Sequence, residues 1–333
     1  MKFPHLPLLR QTPGGKGIWG DFQFFLDDTP REYDFWVVLE GPIKTEEAIC
    51  PKRCMLFVCI EPPTIKRYSR KFLAQFPHVI ASNGVKGRTI TRSSLGLPWV
   101  IGMSYDAATG KWDPNYAEDY DSLKKAPLQE KTRLMSTVVS TKCVTDGQAK
   151  RLRFMERLKN EPDIGIDIFG RGSKDIKDKR DAIVPYKYHI ALENSSLEDY
   201  WTEKLADSYL GGAYPFYWGC PNLSDFFPEG SYTPIDIENP EKAIDTIKKT
   251  IEAATFEKSQ TALAEAKRLV LDRYNFFAIT ADTLAKLPHE SVRERITIMP
   301  EEDCRKRELR EIARKFPFAR KLYGFFKRTF GKK

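Results

Sequence analysis

Nowhere in these 333 residues do 18 apolar residues run without interruption, so no segment reads as a membrane-spanning helix. Histidine is scarce, at four, and there are only six cysteines. So few thiols in so long a chain do not make a disulfide framework and are expected to be reduced. Cys50, Cys54 and Cys59 have a zinc-like spacing, but Cys54 and Cys59 flank an apolar strand and no histidine lies near, so structural zinc is not expected. The opening MKFPHLPLLRQTPGGKG lacks the continuous apolar centre of a signal peptide. Secretion is therefore not expected, and an intracellular compartment is. Gly14-Gly15-Lys16-Gly17 lacks a preceding strand and has Ile18 where a phosphate loop needs Ser or Thr, so it reads as a plain loop. No Asp-x-Asp closes a strand: "DYD" at Asp119 to Asp121 reads as loop. Internal repeats are lacking too.

What is present is the composition of a globular protein, with 41% apolar and 30% charged residues and a length that suits two domains. The net charge of +8 is uneven: from Glu301 to Lys333 there are twelve Lys or Arg against five Asp or Glu, which leaves the rest nearly neutral. A nucleic-acid binder would carry its basic stripe across the folded body, so nucleic acid is not an expected partner.

Short, mostly continuous apolar runs predict strands covered on both faces at Phe35 to Leu39, Met55 to Ile60 and His78 to Ala81, with a helical pattern from Ile65 to Phe76. The stretch from Ser104 to Lys125 reads as an irregular excursion. A second series begins near Met135 with the strand "STVVST", a helix from Gln148 to Lys159 and the strand "IGIDIFG". The strand "YHIALE", a helix from about Thr202 to Leu210 and the strand "YPFYW" follow. This alternation predicts an α/β fold in two halves. Asn239-Pro240 opens a further helix, and helical text continues to about Lys286. The expected division is an N-terminal α/β domain at 1–134, a second α/β domain at 135–300 and a basic tail at 301–333.

Glu193-Asn194 ends an apolar strand, and a helix opens about eight residues later on Thr202-Glu203-Lys204. Ligands of open parallel sheets sit beyond the strands' carboxyl ends, and the next helix turns its positive end to the same crevice. An anion, above all a phosphate, suits that place, with Lys204 as a mobile charge. Glu203 would repel a phosphate unless it points to hydroxyls, and a sugar nucleotide satisfies both. The plainer alternative is an ordinary N-cap with an acidic first turn.

The whole stretch runs Glu-Asn-Ser, Tyr200, Thr202-Glu203-Lys204, a short helix, then Gly212-x-x-Pro215-x-x-x-Gly219. It resembles the donor-binding signature of the family 10 glycosyltransferases, the α-1,3/1,4-fucosyltransferases, in a bacterial-like form without a transmembrane anchor. "STVVSTK", "RLRFMERL" and "IDIFGRG" are similar to that family's upstream elements, and "EPP" at Glu61 to Pro63 to its Glu-x-Pro. The resemblance implies a GT-B architecture, two Rossmann-like domains facing across a cleft, and inverting transfer of fucose from GDP-fucose to a glycan hydroxyl in α-1,3 linkage. It implies Arg151 and Lys204 on the diphosphate, Glu203 on the sugar hydroxyls, and Glu193, Asn194, Tyr200 and Thr202 along the donor. Glu61 is implied as catalytic base, with His78 in reserve, and Arg171 as a further donor contact or a loop ion pair. No cofactor is implied, and a divalent metal would stimulate at most. Trp201 and Leu205-Ala206-Asp207 depart from the usual pattern without touching the polar roles. His189, inside a strand, reads as structural. The alternatives are a transferase of another GDP-sugar and a non-catalytic binding protein on the same fold.

In the tail, Leu309, Ile312, Ala313 and Phe316, then Ala319, Leu322, Tyr323 and Phe326, recur at helical spacing opposite Lys and Arg. A basic amphipathic helix predicts peripheral binding to an anionic membrane, at its cytoplasmic face. The acceptor would be a glycan or a lipid-linked saccharide.

Overall fold

A computed structural model describes residues 6–26, 32–82, 90–92, 96–106, 109–127 and 129–315. Two parallel sheets organise it. The first contains β1 (Trp36–Leu39), β2 (Met55–Cys59), β3 (His78–Ala81) and β4 (Ile90–Arg92), side by side in that order. Every residue of β2 is buried, as its unbroken apolar run requires. The second contains β5 (Arg133–Val138), β6 (Ile166–Phe169), β7 (Tyr186–Leu192), β8 (Tyr214–Trp218) and β9 (Thr233–Pro234), in the order β6-β5-β7-β8-β9. The winding direction reverses between β5 and β7, and that reversal opens the crevice in which such sheets hold ligands. The α/β architecture with two parallel sheets is the one expected.

The principal helices are α1 (Arg70–Leu73), α2 (Asp146–Lys159), α3 (Glu203–Leu210), α4 (Pro240–Glu252), α5 (Gln260–Asp272), α6 (Phe276–Leu284) and α7 (Glu301–Lys315). Thr145 and Gln148 form a capping box on α2, which fixes where that helix starts. Helix α3 buries every residue from Leu205 to Leu210, with Leu205 and Tyr209 in the core of the second sheet.

The chain crosses between the two sheets more than once. Trp99, Ile101 and Leu123 pack into the core of the second sheet. Beyond α5 the chain returns: Asn275 donates to the Gln11 carbonyl at 2.8 Å, and Phe276 and Phe277 join the cluster of Leu39, Leu56 and Ile80. Glu294–Ile298 then pairs antiparallel with Glu46–Cys50. Glu301, at the start of α7, accepts from the Ser69 N–H and hydroxyl at the α1 cap. By packing, residues 276–315 belong to the first sheet. Arg10 lies buried in the seam and donates to the carbonyls of Trp99 (2.9 Å), Ile101 (3.2 Å) and Glu118 (2.6 Å). Burial pulls its guanidinium down to about 10.

Several local expectations change. The Ile65–Phe76 pattern yields only α1, because Pro62 and Pro63 begin a turn and the helix waits for its Ser69 cap. The excursion after Ser104 contains an antiparallel hairpin, Met103–Asp106 with Lys111–Tyr116, and a helix at Tyr120–Lys125. Asp119 caps that helix, so "DYD" is a helix start rather than loop. The tail pattern is helical to Lys315, and the remainder of it, Phe316 onward, lies outside the described residues.

Candidate active site

Glu193 directly follows strand β7, and its side chain is 0% exposed. Its two carboxylate oxygens accept from the Thr202 N–H (2.8 Å) and the Thr202 hydroxyl (2.7 Å). Thr202 in turn caps α3 by accepting from the Lys204 N–H. Glu193 and Thr202, both expected along the donor, are buried and bonded to each other, which sets where α3 begins. Burial lifts the Glu193 carboxyl above its ordinary range, against the pull of Lys204. Gly219 makes this possible, since a Cβ there would lie 2.4 Å from the Glu193 Cγ.

Lys204 Nζ lies 3.1 Å from the Thr202 hydroxyl, 3.2 Å from Glu203 Oε1 and 3.5 Å from Glu193 Oε2, with its side chain 21% exposed. Glu203 is also 3.6 Å from Lys179. Burial opposes its ionisation, but Lys204 and Lys179 outweigh that and hold its carboxyl at about 2. Lys179 pairs with the buried Asp207 at 2.9 Å, and Asp207 accepts the backbone N–H of Val100 and Ile101 at 3.0 Å each. Asp207 therefore does enter the polar network, a correction to the sequence reading. Lys179 and Asp207 were both missed; the one signal was Asp207 one turn after Glu203 on the same face of α3.

Arg151 projects from α2 into the same crevice. It is 5% exposed, donates through Nη1 to the Leu192 carbonyl at 3.2 Å, and its Nε has no hydrogen-bond partner. Among the described residues it makes no ion pair. Burial lowers its pKa, against the attraction of Glu193, Glu203 and Tyr200. A buried guanidinium with its Nε unpaired can donate to an anion. Helix α2 approaches closely because its second residue is Gly147; a Cβ there would meet the Asn194 carbonyl oxygen at 2.1 Å. Asn194 is partly exposed at this crevice.

Tyr200 is buried in the seam with Leu39 and Ile60, so it joins the units rather than lying open along a ligand. Burial, then Glu193, Glu203 and Glu61, push its phenol upward, which puts all three carboxylates in its neighbourhood. Trp201, the departure from the usual pattern, fills an aromatic nest of Phe227 and Tyr274. The loop before it bends at Asp199, a non-glycine residue at φ 60° that exchanges hydrogen bonds with Asn222. Such a conformation costs on the order of 1–3 kcal/mol and persists only where its surroundings hold it.

Glu61 follows β2 at the carboxyl end of the first sheet. Two residues past Pro62, Thr64 shares a 2.6 Å hydrogen bond with Ser195, so the loops leaving the two sheets meet. Arg171 is exposed on the Gly170–Gly172 turn after β6, and no ion pair holds its side chain among the described residues. His78 is the first residue of β3 and its Nε2 lies 3.0 Å from the Arg53 carbonyl. That is the amino end of the sheet, opposite the crevice, so it is no reserve base. His189 lies buried in β7, with Nδ1 2.8 Å from the Ser136 hydroxyl, and burial takes it down to about 3. Cys50, Cys54 and Cys59 are buried free thiols, and no metal-holding cluster occurs among the described residues.

The family model for glycosyltransferase family 10 (fucosyltransferase), C-terminal, matches residues 128–259. Over these residues the chain is similar to the family 10 glycosyltransferases. The match holds β5 to β9, Arg151 and the charged side chains around α3, but not the Val100 and Ile101 amides that Asp207 accepts, and it ends short of the segment that returns to the first sheet. An alpha-(1,3)-fucosyltransferase, FucT, of Helicobacter pylori is 36% identical over 74 residues, 22% of this chain and 16% of that protein. Alpha-(1,3)-fucosyltransferase 4 of Homo sapiens is 32% identical over 117 residues, 33% of this chain and 21% of that protein. This chain thus spans well under two thirds of those relatives. A crystal structure of an alpha1,3-fucosyltransferase with GDP covers 72% of this chain and 79% of its own, at 17% identity and a TM-score of 0.43.

Proposed function

We propose that the chain is an inverting fucosyltransferase that takes GDP-fucose in the crevice between β5 and β7. The observation that carries this reading is Arg151, a buried guanidinium that makes no ion pair among the described residues and leaves its Nε unpaired, at the end of the strand that α3 follows. A diphosphate supplies the missing anion, and Lys204 can swing from its carboxylates to meet it. Glu203, fixed as a carboxylate, then accepts from fucose hydroxyls, with Asn194 beside it and Arg171 as a further contact for the nucleotide.

Transfer is one displacement. The acceptor oxygen bonds to C1 as the C1–phosphate oxygen bond breaks, Glu61 takes the hydroxyl proton, and GDP leaves with the bonding pair. The carbon passes through an oxocarbenium-like state while charge grows on the diphosphate, where Arg151 and Lys204 stabilise it. No cofactor is needed, and a divalent metal would stimulate without being required. The acceptor is a glycan or lipid-linked saccharide in α-1,3 linkage, reached at the cytoplasmic membrane face through the basic tail. The supporting test is GDP release from GDP-fucose with an oligosaccharide array, followed by linkage analysis. Release from another GDP-sugar alone changes the donor; GDP binding without release makes the chain a binding protein.

A further inference from the structure

Glu40 follows β1 as Glu193 follows β7. Both are glutamates after a leucine at the carboxyl end of a parallel strand, and both are buried. Glu40 is bent into the left-handed region, at φ 60°. Its Oε1 accepts the backbone N–H of Ile60 and of Glu61, each at 2.8 Å. Its Oε2 accepts from the Tyr68 hydroxyl at 2.8 Å and from Lys66 Nζ at 3.2 Å, and Lys66 also reaches the Glu40 carbonyl at 3.0 Å. The carboxylate therefore joins the start of the Pro62–Tyr68 loop to its end, with Glu61 gripped by its own amide. Glu193 does the same for α3 through the Thr202 amide. One device recurs on the two faces of the cleft.

We propose that Glu40 is a positioning residue for the transfer reaction, fixing the Glu61 backbone so that its carboxylate meets the acceptor hydroxyl in line with C1. The proposal rests on the reading of Glu61 as base. A purely structural brace would lower stability and leave turnover per folded molecule alone; a positioning residue lowers turnover and acts only through Glu61.

The test measures GDP release at saturating GDP-fucose with a mixed oligosaccharide pool, and GDP affinity, for wild type, Glu40→Gln, Glu61→Gln and the double variant. Glu40→Gln is expected to lower turnover roughly 10- to 100-fold, the cost of a misplaced group, with GDP affinity changed less than about two-fold and the double variant no slower than Glu61→Gln. Losses that multiply in the double variant overturn the proposal, as does normal turnover in Glu40→Gln when Glu61→Gln is impaired. Normal turnover in Glu61→Gln overturns the base assignment itself. Should Glu40→Gln not fold, Tyr68→Phe removes one bond to Oε2; a several-fold loss that vanishes in the Glu61→Gln background supports positioning, and a loss that persists there overturns it.

Discussion

At the scale of single residues, charges held away from water are the most informative feature. Arg151 is buried without an ion pair among the described residues, which a folded protein tolerates only where something compensates. Arg151→Met is therefore expected to leave the ligand-free melting temperature unchanged or raise it, while weakening GDP binding at least ten-fold by the loss of a charge-assisted bond. A melt paired with a GDP titration checks both signs; lower stability with unaltered affinity would mark a structural arginine. Glu203 offers a pH test. Its carboxyl is held at about 2 in the folded state, mainly by Lys204 and Lys179 against the cost of burial. A depressed carboxyl contributes stability above its unfolded value, about 4.3, and loses it as pH falls toward 2. The difference in melting temperature between wild type and Glu203→Gln should be steady down to about pH 5 and shrink below it, and a difference independent of pH would contradict the pairing.

At the scale of elements, the crevice depends on how closely α2 approaches the end of β7. Alanine at position 147 would gain helix propensity of up to about 1 kcal/mol over glycine, but its Cβ would meet the Asn194 oxygen at 2.1 Å. Gly147→Ala should lower both the melting temperature and GDP affinity, as melts and titrations will read; a more stable variant with full affinity would mean that the loop yields freely. Elements of this kind were legible where one physical rule acts alone. The strands His78–Ala81 and Tyr214–Trp218 and the start of α4 fall where apolar runs and the Asn239-Pro240 cap put them. The Ile65–Phe76 helix and the loop reading of Ser104 to Lys125 failed because turn chemistry and caps overrode periodicity. In the site, Glu203 and Lys204 could be singled out from the helix start after a strand end, and Arg151 only through the family resemblance. The bracing roles of Glu40, Glu193 and Asp207 could not, because each depends on backbone amides 9 to 107 residues away that only the fold brings near.

At the scale of the whole molecule, the chain weaves between its two sheets, so the cleft is bounded by elements that share cores across it. Tyr200 sits in one such core, with Phe277 from the returning segment. Residues 316–333 should be separable from this body: their deletion is expected to abolish binding to anionic vesicles while leaving GDP release on a soluble acceptor within about two-fold, since the charge attraction of about 1 kcal/mol per basic residue resides there. Vesicle sedimentation decides it, and unchanged binding after deletion would place the membrane contact elsewhere. The central claim, that the β7–α3 crevice holds a nucleoside diphosphate, is tested most directly by calorimetric titration of GDP into wild type and Lys204→Ala. Loss of a charge-assisted hydrogen bond of about 1.5–3 kcal/mol predicts a roughly 10- to 150-fold weaker affinity, with the folded state confirmed by a melt. Equal affinity in the two proteins would leave Lys204 as an ordinary first-turn residue and contradict the assignment of the site.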